Sequence, residues 1–241
     1  MCMKTSPAAQ GPPLLRARSL SRWYGSGADR FHALTDVSLD IHRGESVAVV
    51  GKSGSGKSTL MHLLALLDAP DQGSLLLEGA DVATLDRRRL DAARNQRFGF
   101  VFQQFFLNPA QSVLENVVLP LTIAGVARPE RHRRGMAVLE QLGMADKARN
   151  RATALSGGQK QRVVIARALV GEPDLIFADE PTGNLDSATG TVVEDELFAL
   201  HRERGITLVV VTHDEDLAAR CRRQVHVHDG RIVSDRLGDA A

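Results

Sequence analysis

The chain has 241 residues, 43% hydrophobic and 24% charged, which is ample for a packed core and excludes global disorder. Thirty Lys+Arg against 29 Asp+Glu leave a formal charge of +1, a balance that argues against nucleic acid as a partner. Two cysteines, Cys2 and Cys221, cannot build a disulfide framework and point to a reduced, cytoplasmic setting.

Residues 1–13 carry one Lys and three Pro without an apolar core, so they read as a frayed tail rather than a leader. Leu14–Leu20 and Val37–Ile41 alternate like strands around a turn near Gly25–Asp29. Glu45–Val50 is a β-branched strand running into a glycine-rich loop, and Ser58–Leu67 is helical. Leu75–Glu78 and Phe98–Phe102 are further strands, with a charged helix at Asp86–Arg94 between them. Ser112–Arg151 is mostly helical, with Val138, Leu139 and Leu142 at helical spacing. A helix over Gly157–Val170 precedes a strand at Leu175–Ala178. Helix Val192–Arg204, strand Thr207–Val211, helix Glu215–Arg222 and a last strand, Gln224–His228, complete the order. This alternation specifies an α/β domain with a largely parallel sheet. The longest apolar runs, Ser46–Val50 and Thr207–Val211, fall far short of the ~20 residues that cross a bilayer. Any work at a membrane therefore requires a partner that supplies the span.

Gly51-Lys52-Ser53-Gly54-Ser55-Gly56-Lys57-Ser58, followed by Thr59, matches G-x-x-x-x-G-K-[ST] between a buried-type strand and a helix. Glycines let the backbone wrap an anion with N–H groups pointing inward. The positive end of the helix macrodipole adds to the attraction. Lys57 is expected on the β- and γ-phosphates of a nucleotide, and Ser58 on Mg²⁺. Further on, the apolar strand Leu175–Ala178 delivers Asp179-Glu180 at its C-terminal end, where open α/β sheets bind ligands. Asp179 suits Mg²⁺, and Glu180 suits polarisation of a water that attacks the γ-phosphate. The chain lacks the Asn-Lys-x-Asp guanine reader of GTPases, and Lys57 lies further from Asp179 than in a compact small-molecule kinase.

The separating feature is Leu155-Ser156-Gly157-Gly158-Gln159, ahead of Asp179. With it, the sequence from Leu14 to Val233 resembles the ABC ATPases, with their motifs in the family's order. The resemblance implies an ABC-type P-loop fold: a mostly parallel core sheet, an N-terminal antiparallel β subdomain and a helical subdomain inserted at about residues 104–160 of a single domain, 14–241. It implies that Ser156, Gly157, Gly158 and Gln159 cap a helix and bind the γ-phosphate of an ATP held by a second subunit. Gln103 matches the residue that touches Mg²⁺ and the attacking water. His213 matches the histidine that contacts the γ-phosphate. Asn184-Leu185-Asp186 matches the segment that crosses the dimer interface. Tyr24, the only Tyr, stands where the family stacks an aromatic on adenine, with Trp23 as the alternative.

ATP and Mg²⁺ are thus the implied cofactors, and the implied assembly is a homodimer closed head to tail on two ATP. The implied location is the inner face of the membrane, held by a permease. Phe105-Phe106-Leu107-Asn108-Pro109 and Val113-Leu114 form the segment expected to receive a short permease helix. Ala178–Asp186, Phe100–Gln103, Leu114–Val117 and Leu217–Cys221 resemble the MacB/LolD/FtsE-like branch, which works on export, lipoprotein release or mechanical transmission. The alternative within that branch is an FtsE-like signalling ATPase that regulates an envelope enzyme without transport. A soluble ABC ATPase acting on DNA or ribosomes would carry tandem cassettes or coiled-coil insertions, and this chain has neither. Ala65–Asp68 and Arg151–Ala154 depart from the branch's usual wording by lacking a Gly and a Pro.

Overall fold

A computed structural model describes residues 11–238, with Ala28 in backbone only. Cys2 and most of the expected tail lie outside the described residues. The strands are β1 (Leu15–Tyr24), β2 (Phe31–Ile41), β3 (Ser46–Val50), β4 (Gln72–Leu77), β5 (Ala80–Asp81), β6 (Phe98–Phe102), β7 (Leu175–Asp179), β8 (Thr207–Thr212), β9 (Arg223–His228) and β10 (Arg231–Leu237). The helices are α1 (Lys57–Leu64), α2 (Arg87–Arg97), α3 (Val113–Val117), α4 (Leu119–Ile123), α5 (Arg128–Gln141), α6 (Gly157–Leu169), α7 (Ser187–Arg204) and α8 (Glu215–Ala219). No described helix is long and apolar enough to cross a membrane.

The strands form two sheets. An antiparallel sheet has the order β2-β1-β4-β5, and a six-stranded sheet has the order β10-β9-β3-β8-β7-β6. In the second, β9, β3, β8, β7 and β6 run parallel, while β10 closes the edge antiparallel to β9. Its central strands are buried on both faces, which explains their uninterrupted apolar runs. Alternate residues feed two cores. Ala48, Ile176, Ala178, Leu208 and Val210 pack towards α3, α5, α6 and α7. Val47, Val49, Phe177, Val209 and Val211 pack towards α1 and the antiparallel sheet.

Residues 112–151 are helical as expected, through α3, α4 and α5. Several bounds differ from the sequence reading: β1 runs on to Tyr24, β2 begins at Phe31, β4 begins at Gln72 and α1 stops at Leu64. Gln224–His228 is not the last strand, because β10 follows it. β10 escapes a hydropathy reading because most of its side chains face solvent. Helix α7 starts at Ser187 rather than Val192, because Asp186 accepts from Thr189 N (3.0 Å) and so caps a polar first turn. Helix α8 stops at Ala219. Cys221 is buried, and its burial pushes the thiol up to about 12, which disfavours the thiolate.

Phe177 is fully buried between the two sheets and stacks edge-on to Phe98. Phe177→Ala is expected to lower unfolding stability by about 3–5 kcal/mol, read as a drop in denaturant midpoint.

Candidate active site

Strand β3 ends at Val50, and from Gly51 the chain turns through a loop whose glycines lie at positive φ: Gly51 (156°), Gly54 (78°) and Gly56 (105°). Two of these positions leave no room for a side chain. A Cβ on Gly51 would stand 2.2 Å from Val227 O, and one on Gly56 would stand 2.5 Å from Ala33 O. The loop is tied to the strands around it, because Gly230 N donates to Ser55 O (2.9 Å) and Thr35 N donates to Gly230 O (2.8 Å). Helix α1 follows with Gly56 as its N-cap and no side chain capping its first N–H groups. Those donors face an electropositive helix end, the requirement for an anion site. Lys57 is buried, and its Nζ donates to Gly51 O (2.8 Å) and Lys52 O (3.0 Å), which fixes the ammonium inside the loop.

The neighbouring strand ends bring the remaining chemistry alongside. Lys52, Ser53, Gly54, Gly56, Lys57, Ser58 and Thr59 share one cavity of about 730 Å³ with Tyr24, Gln103, Asp179, Glu180 and His213. Gln103 follows β6, Asp179 ends β7 and His213 follows β8, so parallel pairing places all three at one edge. Gln103 packs against Gly183, where a Cβ would meet its Nε2 at 2.9 Å.

Glu180 has φ 44°, a conformation that costs a non-glycine residue energy and that the surrounding bonds hold in place. Its N–H donates to Val211 O (2.8 Å). Its carboxylate accepts from Thr212 Oγ1 (3.0 Å) and His213 N (3.0 Å), and its Oε1 lies 2.6 Å from His213 Nδ1. The acid and the histidine are therefore one hydrogen-bonded unit. Burial and the neighbouring Glu180 charge push the Asp179 carboxyl above its usual range, opposed by His62 and Lys57.

The residues fit a magnesium ion. Ser58, Asp179 and Gln103 offer a hydroxyl, a carboxylate and an amide oxygen, all hard donors. The raised Asp179 carboxyl marks a place where a cation would relieve carboxylate repulsion. The described residues contain no cluster of three or more His, Cys, Asp or Glu that could hold a metal by themselves.

The signature segment lies elsewhere. Ser156 caps α6 in a reciprocal box: Gln159 N donates to Ser156 Oγ (3.3 Å) and Ser156 N donates to Gln159 Oε1 (3.0 Å). Gly157 and Gly158 lie so close to Leu185 and Thr189 that a Cβ would stand 3.1 Å and 2.5 Å from them. None of Ser156, Gly157, Gly158, Gln159 or Asp186 lines the cavity. Trp23 does not line it either; Arg30 lies 3.8 Å over its ring and His32 packs beside it. Sequence reasoning missed Phe31, which is exposed at the cavity and pairs in register with Tyr24, and Thr212, which holds Glu180. The hairpin register was the available signal for Phe31.

A family model described as "ABC transporter" matches residues 34–183, more than half the chain. The chain is 48% identical over 233 residues to the pyoverdine export ATP-binding/permease protein PvdT of Pseudomonas aeruginosa, covering 96% of this chain and 35% of that protein. It is 49% identical to the macrolide export ATP-binding/permease protein MacB of Nitrobacter winogradskyi, over 93% of this chain and 35% of MacB. It thus spans about a third of the length of these fused relatives. It is 46% identical to the lipoprotein-releasing system ATP-binding protein LolD of Geobacter metallireducens, covering 92% of this chain and 99% of LolD. Among solved structures, it is similar to the dimeric post-hydrolysis state of the ATP-binding cassette MJ0796 bound to ADP and Pi. That match has a TM-score of 0.83 and 38% identity, covering 92% of this chain and 98% of that one.

The raised Asp179 carboxyl has a consequence for stability. A group that binds its proton more tightly when folded favours the fold at low pH and costs stability as pH rises through its folded value. Asp179→Asn is therefore expected to raise the melting temperature of nucleotide-free protein at pH 7. The gain should vanish below the ordinary carboxylate range, as a pH series of thermal melts would read.

Proposed function

The chain belongs to the ABC transporter family of ATP-binding, ATP-hydrolysing domains, and on that footing we propose that it drives a separate membrane permease as one half of a head-to-tail homodimer. The observation that carries this reading is a division of labour within one chain. The phosphate loop, Gln103, Asp179, Glu180 and His213 meet at one cavity, while Ser156 and its glycines stay outside it. A signature segment remote from its own chain's phosphate site suits a role on the ATP of a second copy. The dimeric cassette bound to ADP and Pi supports the same assembly.

In this reading the loop N–H groups and Lys57 bind the β- and γ-phosphates, and Ser58, Asp179 and Gln103 would hold Mg²⁺. The ion neutralises phosphate charge when bound. Glu180, oriented by Thr212 and His213, accepts the proton of the water that attacks the γ-phosphorus. His213 reports the γ-phosphate to the Glu180 unit. Ser156, Gly157, Gly158 and Gln159 complete the site from the partner, with Asp186 at the crossing. Closure depends on γ-phosphate contacts that ADP cannot make, so hydrolysis releases it.

The motion passes to the permease through a groove of about 540 Å³ beside α2, α4 and β6, lined by Leu67, Phe100, Phe102, Phe106, Leu119 and Ile123. Of the segment expected to receive the permease, Phe106 is 64% exposed and reaches this groove, whereas Val113 is fully buried and Phe105 and Leu107 pack on the core. In this reading the receiving surface draws on α2, α4 and β6 together with Phe106, rather than on one segment. The helical segment at about 104–160 would move with it. Similarity to PvdT, MacB and LolD favours export or lipoprotein extraction as the work performed, at the inner face of the membrane.

Glu180→Gln should trap an ATP-bound dimer on size-exclusion chromatography and lower turnover by about 10²–10⁴-fold. Unchanged turnover would remove Glu180 from the chemistry.

A further inference from the structure

Tyr24 ends β1 with 41% of its surface exposed, a position where an unsupported ring would sample several rotamers. Its surroundings restrain it. The phenol donates to Asp68 Oδ2 at 3.2 Å. The Arg22 guanidinium pairs with the same carboxylate, at 3.0 Å to Oδ1 and 2.9 Å to Oδ2, and reaches Asp71 at 3.3 Å. Asp68 also accepts from Ala69 N at 2.8 Å, and Asp71 accepts from Trp23 N at 2.9 Å, so both acids are fixed to backbone. The Arg22 guanidinium carbon lies 4.9 Å from the centre of the Tyr24 ring. Tyr24 lines the cavity and Arg22 does not.

We infer that Arg22 and Asp68 are positioning residues for nucleotide binding, which back one face of the Tyr24 ring so that its other face is presented to the base. This deepens the reading that the cavity holds ATP and rests on it. A cation over an aromatic face is attracted by the ring's quadrupole and opposes rotation of the ring away from it. Asp68 lies just beyond α1, whose N-terminus carries the phosphate loop. One short helix therefore links the group that holds the phosphates to the group that holds the base. Neither Arg22 nor Asp68 lines the cavity, so both act on the ring from outside it.

The test compares ATP with inorganic tripolyphosphate, which has the phosphates and no base, using the full chain and competition against a fluorescent ATP analogue. Arg22→Gln and Asp68→Ala should each weaken ATP about five- to tenfold, the scale of a lost stacking contact, and leave tripolyphosphate within twofold. The KM for ATP should rise by the same factor while kcat at saturation holds. Arg22→Lys keeps the cation and should restore most of the affinity. Equal weakening of ATP and tripolyphosphate by Arg22→Gln, or no weakening of ATP, would overturn the inference. Tyr24→Ala separates the two levels. If it weakens ATP and Arg22→Gln does not, the positioning role fails alone; if Tyr24→Ala leaves ATP affinity intact, the base platform itself fails, and the inference with it.

Discussion

The structure depends on a backbone that must approach other backbone with no side chain between. Gly51 and Gly56 run against Val227 O and Ala33 O at distances that no Cβ tolerates, and both adopt positive φ. That proximity curls the loop tightly enough to aim its N–H groups and the Lys57 ammonium at one point. A multiply charged phosphate can be desolvated only where such donors are already in place. Other parts of the fold keep the loop in that shape. The β9–β10 turn holds Ser55 and Thr35 through Gly230, and β3, beneath the loop, is buried on both faces.

The same architecture sorts the acids by environment. Asp179 sits at the buried end of β7 with its carboxyl raised, a state that a cation reverses. Glu180, one residue on, turns through a strained φ and is held by three donors from the end of β8. Adjacent residues thus face different tasks because one ends a strand and the other leaves it. Arg167 extends the logic towards the groove. It projects from α6, the helix that Ser156 caps, and donates to Phe105 O and Phe106 O, just after Gln103. One side chain thus ties the signature helix to the backbone beside the groove.

Much of this was legible in the sequence, for a physical reason. Strands buried on both faces need unbroken apolar runs, so β3, β7 and β8 stand out, and Phe98–Phe102 matches its strand end for end. The loop and the acid pair are equally visible, because close backbone approach demands glycine and a strand end delivers charge. What was hidden depends on pairing and contacts rather than on hydropathy. Strand β10 is a mostly exposed edge strand with no hydropathic signature. Thr212 matters only because Glu180 turns towards it, and Phe31 only because β1 and β2 pair it with Tyr24. Phe105, Phe106, Leu107, Val113 and Leu114 read as a receiving surface, yet all of these but Phe106 pack against the helical core.

The central claim is that each ATP is held between the phosphate loop of one protomer and Ser156 of its twin. Mixing two inactive variants tests it directly, one carrying Lys57→Met and the other Ser156→Arg. In a symmetric pair with composite sites, the mixed dimer has one site with both defects and one with none, so turnover should return to about a quarter of the unmodified level. A mixture as inactive as its components, with mixed dimers shown to form, would contradict the account.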